Sequence, residues 1–212
     1  HISTDEVYGP VLSGAVDERA SLSPRSPYAV SKASGDLLAQ SFRLSYGLPV
    51  IVVRPTNIFG PAQFPEKFIP LCIDRVRKGE KIFIHSDHTK TQAGSRYYIH
   101  AADVADALLF LVKNKPVPDM DYGRAKCPKF NIVGKQEINN LELAEIIADA
   151  QDKPLVYEMV DFHSSRPGHD LRYSLSGDYM RHLGWEPKID LTERIKQVVD
   201  WTLNRPDWLD SL

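Results

Sequence analysis

Apolar residues follow two different spacings along the chain, one typical of buried strands and one typical of amphipathic helices. Val50 to Val53 is a continuous β-branched run of the kind found in buried parallel strands. Tyr28 to Tyr46 instead places apolar residues three and four positions apart, and Gly47 follows as a helix stop. A short apolar run near the N-terminus ends at Thr4. The pattern predicts a strand, a helix and a second strand in succession.

The same alternation continues to the C-terminus. Short apolar runs bounded by polar residues predict strands at Ile82 to His85, Lys129 to Val133 and Leu155 to Val160. Helical spacing predicts helices at Lys67 to Lys78, Ala102 to Lys113, Leu141 to Ala150, Ser176 to Leu183 and Leu191 to Leu203. Alternating strands and helices favour an α/β fold with a parallel sheet. We expect a smaller C-terminal α/β lobe to begin after the Val50 strand.

The glycines do not form a dinucleotide-binding turn. A sheet of that type normally opens with a strand, a glycine-rich turn and a helix, because only glycine lets the backbone approach a pyrophosphate closely. None of the 12 glycines lies in a G-x-G-x-x-G pattern. We therefore expect a Rossmann-type sheet without its N-terminal glycine-rich βαβ part. Either the sequence covers part of a gene product, or another polypeptide supplies that part.

Composition argues against several classes of protein. The chain is 42% hydrophobic and 25% charged, so it can bury a core. A formal net charge of -2 gives no broad cationic field for nucleic acid. No apolar run approaches the roughly 18 residues of a membrane span, and the N-terminus lacks a signal segment. Cys72 and Cys127 are far apart, which favours free thiols and a cytoplasmic protein.

Tyr28-Ala-Val-Ser-Lys32 is the strongest chemical signal. Residues four apart share a helix face, so the Lys32 ammonium can lie beside the Tyr28 phenol. A cation about 4 Å away at an effective dielectric near 20 contributes roughly 4 kcal/mol, or about three pKa units, before solvent screening. The predicted result is a phenol that works as a base near neutral pH. The alternative is a surface helix that happens to carry a tyrosine and a lysine.

Asp5 and Glu6 follow the first predicted strand, in the segment Ser3-Thr-Asp-Glu-Val-Tyr-Gly9. Ligands of open α/β sheets bind at the carboxyl ends of the strands. Two carboxylates that face one substrate repel each other, which splits their pKa values and leaves one group to donate a proton and the other to accept one. Asp5 and Glu6 are therefore a candidate acid/base pair. The alternative is that they are only the polar first residues of a loop.

Four segments together resemble the dTDP-glucose and UDP-glucose 4,6-dehydratases, which are NAD-dependent enzymes of the extended short-chain dehydrogenase/reductase kind. The segments are STDEVYG, SPYAVSK, QFPEKFIPL at Gln63 to Leu71 and RPGHDLRY at Arg166 to Tyr173. They occur in the family's order and span essentially the whole chain. Related epimerases carry small hydroxylated residues where Asp5 and Glu6 stand, so an epimerase or a decarboxylase is the disfavoured alternative.

The resemblance implies a role for each catalytic candidate. Tyr28 would remove the proton of the sugar 4-hydroxyl as NAD oxidises C4, and Lys32 would hold the nicotinamide ribose and lower the pKa of Tyr28. Glu6 would take the C5 proton, and Asp5 would protonate the departing C6 hydroxyl. Thr4 would bond near O4. NAD is regenerated in each turnover, so the net reaction is loss of water by a hydro-lyase.

The resemblance also implies a nucleotide-sugar site. Asn57 would contact the diphosphate, although a turn before Gly60-Pro61 would also explain it. Lys67 and Phe68 begin a predicted helix, where a cation and free N–H groups suit phosphate. The guanidinium groups of Arg96 and Arg166 would bind the diphosphate; the alternative is that they form surface salt bridges. The full set of substrate-binding candidates is Thr4, Asn57, Lys67, Phe68, Phe83, Ile84, His85, Arg96, Asn131, Arg166 and His169.

The segment His85 to Ser95 is longer than the short turn usual in the family, which leaves the choice between thymine and uracil nucleotides open. His85 and His88 within it lack a third ligand, so we expect no metal site.

Residues 1–60 are expected to belong to the NAD-binding domain and 61–212 mainly to the substrate lobe, with about 82–113 returning to the Rossmann sheet. The resemblance implies a homodimer for the complete protein, formed partly by the Tyr28 helix. We expect the isolated chain to be inactive, so a sugar-nucleotide-binding fragment is the alternative function.

Overall fold

The computed structural model describes residues 1–11, 13–114, 120–121, 124–125, 127–161 and 172–209. A 3₁₀ turn spans Asp5–Tyr8, and the helices are α1 (Pro27–Tyr46), α2 (Phe68–Lys78), α3 (Ala101–Asn114), α4 (Asn140–Asp149), α5 (Asp178–His182), α6 (Leu191–Leu203) and α7 (Pro206–Leu209). The strands are β1 (Val52–Pro55), β2 (Asn57–Phe59), β3 (Ile82–Ser86), β4 (Ser95–His100), β5 (Met120–Asp121), β6 (Arg124–Ala125), β7 (Lys129–Ile132), β8 (Glu137–Asn139) and β9 (Tyr157–Asp161).

The predicted strand before the 3₁₀ turn is reduced to an isolated bridge, and the segment that contains it runs beside β1. β1 and β7 pair in parallel, and Ile2 forms a parallel bridge with Val53 on the other side of β1. The backbone N–H of Ser3 donates to the Val53 carbonyl at 2.7 Å. All four residues of β1 are buried, as expected for a strand covered on both faces. This parallel arrangement sets the point at which Thr4, Asp5 and Glu6 leave the sheet.

Other described strands form smaller sheets on the C-terminal side. β4 lies between β2, its parallel partner, and β8, its antiparallel partner, while β3 pairs in parallel with β9. A core cluster joins α2, α4 and α6 to β3, and its fully buried members include Ile73, Ile84, Leu143, Ile147, Ile195 and Val199. The α/β class is confirmed.

The range 82–113 divides between two parts of the fold. α3 buries Val104, Ala107 and Leu111 against Val53 and Phe130, so this helix packs on the β1–β7 pair. β3 instead pairs with β9. α3 therefore packs on the first sheet while β3 pairs elsewhere; the division near residue 60 and the return of about 82–113 to the Rossmann sheet stay predictions.

Local capping explains why the helices begin and end where they do. The Ser26 hydroxyl accepts from the Ala29 N–H, Pro27 occupies the first turn of α1, and Gly47 ends it in the left-handed conformation. Asn139 and Glu142 form a capping box at α4. The predicted helices at α1, α2, α4 and α6 are confirmed to within about two residues. In the part of the chain that the structure describes, no helix is long and apolar enough to cross a membrane.

Candidate active site

The turn Asp5–Tyr8 presents the two carboxylates at the end of the first strand. Thr4 caps it, since its hydroxyl accepts from the Glu6 N–H at 3.4 Å and donates to the Asp5 carboxylate at 3.0 Å. Gly9 ends the turn with a φ of 76°. A Cβ at Gly9 would lie 2.4 Å from the Ser23 carbonyl oxygen, so only glycine fits this close approach. The predicted strand end is therefore followed by a defined turn.

Asp5 is 5% exposed, and its surroundings favour the protonated acid. Burial raises the pKa of Asp5 from 3.8 to about 6, and the neighbouring Glu6 charge raises it further, while the Thr4 hydroxyl and the Arg96 charge oppose the increase. A carboxyl with this pKa can donate a proton near neutral pH, which fits the predicted role as the acid of the pair.

Tyr28 lies at the start of α1, which packs against the 3₁₀ turn. Burial, followed by the charge on Glu6, raises the pKa of Tyr28; hydrogen bonding to Thr4 acts in the opposite direction. The Tyr28 side chain is still 53% exposed, so a ligand can reach it. Tyr28, Thr4 and the carboxylate pair thus share one site.

Lys32 differs from the sequence-based expectation. Its ammonium donates to the Ile2 carbonyl at 2.6 Å, and Lys32 is absent from the groups that shift the pKa of Tyr28. The predicted lowering of the Tyr28 pKa by Lys32 is therefore wrong: the ammonium is held by the Ile2 carbonyl, while burial and then the Glu6 charge raise the pKa of the phenol. Its proposed contact with the nicotinamide ribose stays a prediction.

Three predicted diphosphate contacts lie at the edge of the second sheet and at α2. Asn57 is exposed and opens β2, so it does not sit in a turn. Lys67 is the exposed N-cap residue of α2 and makes no side-chain capping bond. Phe68 is half-buried and packs against the core cluster under α2. Asn57 and Lys67 are available to a ligand, and their roles stay predictions.

Alternation along β3 separates the three neighbouring substrate-binding candidates Phe83, Ile84 and His85. Phe83 is 57% exposed and His85 half-buried, whereas Ile84 is fully buried in the core. The Ile84 side chain therefore packs inside the lobe, on the opposite face of β3 from Phe83 and His85.

The long segment after β3 is closed on itself by Asp87. Its carboxylate accepts from the Thr91 and Gln92 N–H groups at 2.9 Å each and from the Thr89 hydroxyl. These hydrogen bonds lower the pKa of Asp87 to about 2. Within the described ranges, no three His, Cys, Asp or Glu side chains are arranged to hold a metal ion.

Arg96 lies nearer to the acid/base pair than the sequence indicated. It donates from Nη1 to the Ser95 carbonyl at 2.7 Å, and its guanidinium carbon lies 4.7 Å from the centre of the Tyr173 ring. Its charge also lowers the pKa of Asp5. A positive group that contacts the Tyr173 ring thus also acts electrostatically on the Asp5 carboxylate.

Asn131 is fully buried and its amide is occupied by the protein. Its Oδ1 accepts from the Tyr8 hydroxyl at 2.9 Å, and its Nδ2 donates to the carbonyls of Val16 and Ser176 at 3.3 and 3.4 Å. This geometry favours a structural role over the predicted contact with substrate. Arg166 and His169 lie outside the described residues.

Sequence reasoning did not single out the buried side chains behind the site. Arg54 is 1% exposed and Asp36 is 0% exposed, and they form an ion pair at 2.9 Å. An arginine at the end of an otherwise apolar strand was the available signal, because such a residue needs a partner when buried.

A parallel sheet with a carboxylate pair at one of its ends, beside a helix that carries Tyr-x-x-x-Lys, is the arrangement expected of the short-chain dehydrogenase/reductase class. The chain belongs to the GDP-mannose 4,6 dehydratase family, whose model matches residues 1–198.

Individual relatives agree with the resemblance inferred from the sequence. The chain is 37% identical over 214 residues to a dTDP-glucose 4,6-dehydratase from Streptomyces niveus, covering 100% of this chain and 59% of the relative. The structure of a dTDP-glucose 4,6-dehydratase from Streptomyces venezuelae with NAD and TYD bound matches with a TM-score of 0.84 and 34% identity, over 100% of this chain and 61% of that one.

A third relative extends the same result. The dTDP-glucose 4,6-dehydratase from Bacillus anthracis, in complex with NAD, matches with a TM-score of 0.83 and 33% identity, over 99% of this chain and 63% of that one. The resemblance and the Rossmann-type fold are confirmed. The chain spans 59 to 63% of the length of these three relatives.

Proposed function

We propose that the full-length protein containing this chain is an NAD-dependent 4,6-dehydratase of dTDP-glucose or UDP-glucose. The observation that carries the proposal is the Thr4-capped turn, in which a buried Asp5 with a pKa near 6 adjoins Glu6 and the Tyr28 phenol. An enzyme that only oxidised the sugar at C4 would need the tyrosine and no carboxylate pair. An adjoining acid/base pair is what elimination of water requires, because one proton must leave carbon as another joins the departing hydroxyl.

Each side chain moves a proton at a stated atom. Tyr28 accepts the proton of the sugar 4-hydroxyl as C4 becomes a ketone, which acidifies C5. Glu6 takes the C5 proton, and Asp5 gives its proton to the C6 oxygen, so the C6–O bond breaks and water leaves. With the hydride taken from C4 returned to C6, Glu6 gives its proton back to C5, and the proton held by Tyr28 replaces the one that Asp5 gave up, so all three side chains are restored. The product is the 4-keto-6-deoxy sugar, and substrate and product differ by one water.

Protonation of Asp5 suits this order of events. With a pKa of about 6, about a tenth of the molecules carry the proton at pH 7 before substrate binds. A sugar seated over the turn excludes further water, which disfavours the charged carboxylate and increases the protonated fraction.

The described residues fit the nicotinamide end of NAD. Tyr28 and Lys32 are one helical turn apart on α1, beside the end of the first strand, and they supply a phenol and an ammonium to hydroxyl groups of a ribose. When bound, NAD supplies a reversible hydride acceptor, and its positively charged ring opposes the effect of Glu6 on the Tyr28 pKa.

Exposed polar groups around the turn support binding of a nucleoside diphosphate. Asn57 and Lys67 are exposed, and the Arg96 charge lowers the pKa of Asp5. Together they supply an amide, an ammonium and a guanidinium, which are the donors that phosphate oxygens accept from. Arg166 and His169 complete the proposed set on sequence grounds.

The test is an assay of the purified full-length protein with NAD and either dTDP-glucose or UDP-glucose. We expect the 4-keto-6-deoxy sugar from one or both, detected by mass spectrometry as loss of water. A C4 epimer of unchanged mass would establish the epimerase alternative, and loss of carbon dioxide from a uronic acid substrate would establish a decarboxylase. With none of these products, the binding alternative would stand if calorimetry still detects the sugar nucleotide.

A homodimer and a cytoplasmic location belong to the same proposal. Leu37, Leu38 and Leu44 of α1 are 61, 59 and 51% exposed in the chain, which supports a protein contact on this helix. Cys72 and Cys127 are free and buried, which supports a reducing compartment. Light scattering on the full-length protein tests the dimer, and a monomer would refute it.

A further inference from the structure

A buried polar network links the two segments that carry the proposed catalytic residues. Asp36 on α1 accepts from Arg54 Nε at 2.9 Å, and Arg54 Nη1 donates to the Tyr8 hydroxyl at 2.6 Å. Tyr8 in turn donates to Asn131 Oδ1 on β7 at 2.9 Å. The four side chains are 0 to 5% exposed. We call this set, Tyr8, Asp36, Arg54 and Asn131, the Tyr8 network.

The direction of every bond in the network follows from its donors. A guanidinium can only donate, so the Tyr8 oxygen accepts from Arg54 and its single proton must go to Asn131. That proton selects Oδ1 of the amide, which leaves Nδ2 to face the Val16 and Ser176 carbonyls. The network therefore admits one arrangement, and a change at any member leaves a buried group unsatisfied.

The two ends of the network are close in sequence to the proposed chemistry. Tyr8 is the last residue of the turn that presents Asp5 and Glu6. Asp36 lies one helical turn after Lys32 and two turns after Tyr28 on α1. Arg54 joins these ends from β1. The relative position of the carboxylate pair and the phenol is thus determined through Arg54.

Stability alone is a weak reason for such an arrangement. A buried ion pair is often no more stable than apolar side chains of the same volume. Arg54 Nη2 is buried without a hydrogen-bond partner among the described residues, so the network also leaves one donor unsatisfied. The Tyr8 network instead holds its four side chains in a single arrangement.

We propose that Tyr8 is a positioning residue for elimination: held by Arg54 and Asn131, it sets Asp5 and Glu6 against the sugar carbons, whereas Tyr28 is positioned by α1, whose contact with Arg54 does not need the Tyr8 hydroxyl. The proposal rests on the 4,6-dehydratase function. Loss of the Tyr8 hydroxyl should loosen the turn. Elimination should then become slower, because a small misplacement of the acid or base lowers its rate. The rate of oxidation at C4 should change little.

Tyr8→Phe in the full-length protein is the direct test. The ring stays in place, since the Arg54 guanidinium carbon lies 4.7 Å from its centre and that contact does not need the hydroxyl. Tyr98→Phe is the matched control, because it removes another buried phenol hydroxyl, which donates to Asn140 at 2.9 Å in the C-terminal part of the chain.

Single-turnover reactions separate the two steps. NADH absorbance follows oxidation at C4, while 4-keto-6-deoxy product and C5 deuterium exchange follow elimination. We expect Tyr8→Phe to slow elimination by roughly tenfold or more and oxidation by less than about threefold, so that NADH accumulates. Tyr98→Phe should leave the ratio of the two rates unchanged. Amide hydrogen exchange should increase in the peptide containing Asp5–Tyr8 in the first variant and not in the second.

Three outcomes would overturn the positioning role. These are an unchanged ratio of rates in Tyr8→Phe, the same change of ratio in Tyr98→Phe, or unchanged amide exchange in the turn. If Tyr8→Phe fails to fold, Arg54→Lys is the second variant: an ammonium cannot reproduce the forked contacts to Asp36 and Tyr8, so the ratio should shift in the same direction, and an unchanged ratio there would count against the proposal. Wild-type protein without dehydratase activity would instead remove the proposed function, and the amide exchange would still report whether Tyr8 orders the turn.

Discussion

Replacing Asp5 with asparagine should stabilise the protein while reducing its activity. Burial holds the pKa of Asp5 near 6, against 3.8 for an exposed aspartate, so ionisation of this group opposes folding. A difference of about two pKa units at about 1.4 kcal/mol each corresponds to roughly 3 kcal/mol at pH 7.5. Asparagine keeps an oxygen that can accept from the Thr4 hydroxyl and carries no charge to desolvate.

The sign and the pH window follow from the two pKa values. The unfolded chain loses the Asp5 proton at lower pH than the folded chain does, so between about 4 and about 6 the folded state binds more protons. Below this window, ionisation of Asp5 does not reduce the free energy of unfolding. The reduction grows as pH rises through the window and is constant above it. The gain from Asp5→Asn should be about 1.5 kcal/mol larger at pH 7.5 than at pH 5.

Urea unfolding of the full-length protein at these two pH values measures the effect. Asp200→Asn on the exposed surface of α6 is the control, and it should change the free energy of unfolding by less than about 0.5 kcal/mol at either pH. Product formation in Asp5→Asn should fall as stability rises, since the variant has no proton to give to the C6 oxygen. A variant that is destabilised at pH 7.5, or a gain independent of pH, would show that burial does not raise the pKa of Asp5.

Three further changes test the site and the core. Glu6→Gln should abolish 4-keto-6-deoxy product and C5 deuterium exchange while still allowing NADH to form, and full exchange would remove Glu6 from the role of C5 base. Tyr28→Phe should stop oxidation at C4 itself, so appreciable NADH in stopped-flow absorbance would contradict its role. Leu143→Ala, at a position with no exposed surface, should lower the free energy of unfolding by about 2 to 5 kcal/mol in urea, and a loss below about 1 kcal/mol would mean that the core refills the cavity.

Local signals determined the helices and the identity of the site. Helical spacing with a stop glycine defined α1, and an asparagine followed by a glutamate three positions later defined the start of α4. The segments around Asp5 and Tyr28 identified the class of chemistry, because each places its functional groups within a few residues of one another. Such features depend on neighbours along the chain and can therefore be read from the sequence.

Short strands and electrostatics needed the tertiary structure. β2 and β8 contain three residues each and exist through their pairing with β4, so no periodicity marks them. The direction of the Tyr28 pKa shift was predicted incorrectly because it depends first on burial and then on Glu6, which approaches from another segment, while Lys32 is held by Ile2. Hydrogen bonds that span 18 to 123 residues along the chain build the Tyr8 network. The residue types of the site are therefore local information, whereas their charge states and relative positions follow from burial and from contacts between distant segments.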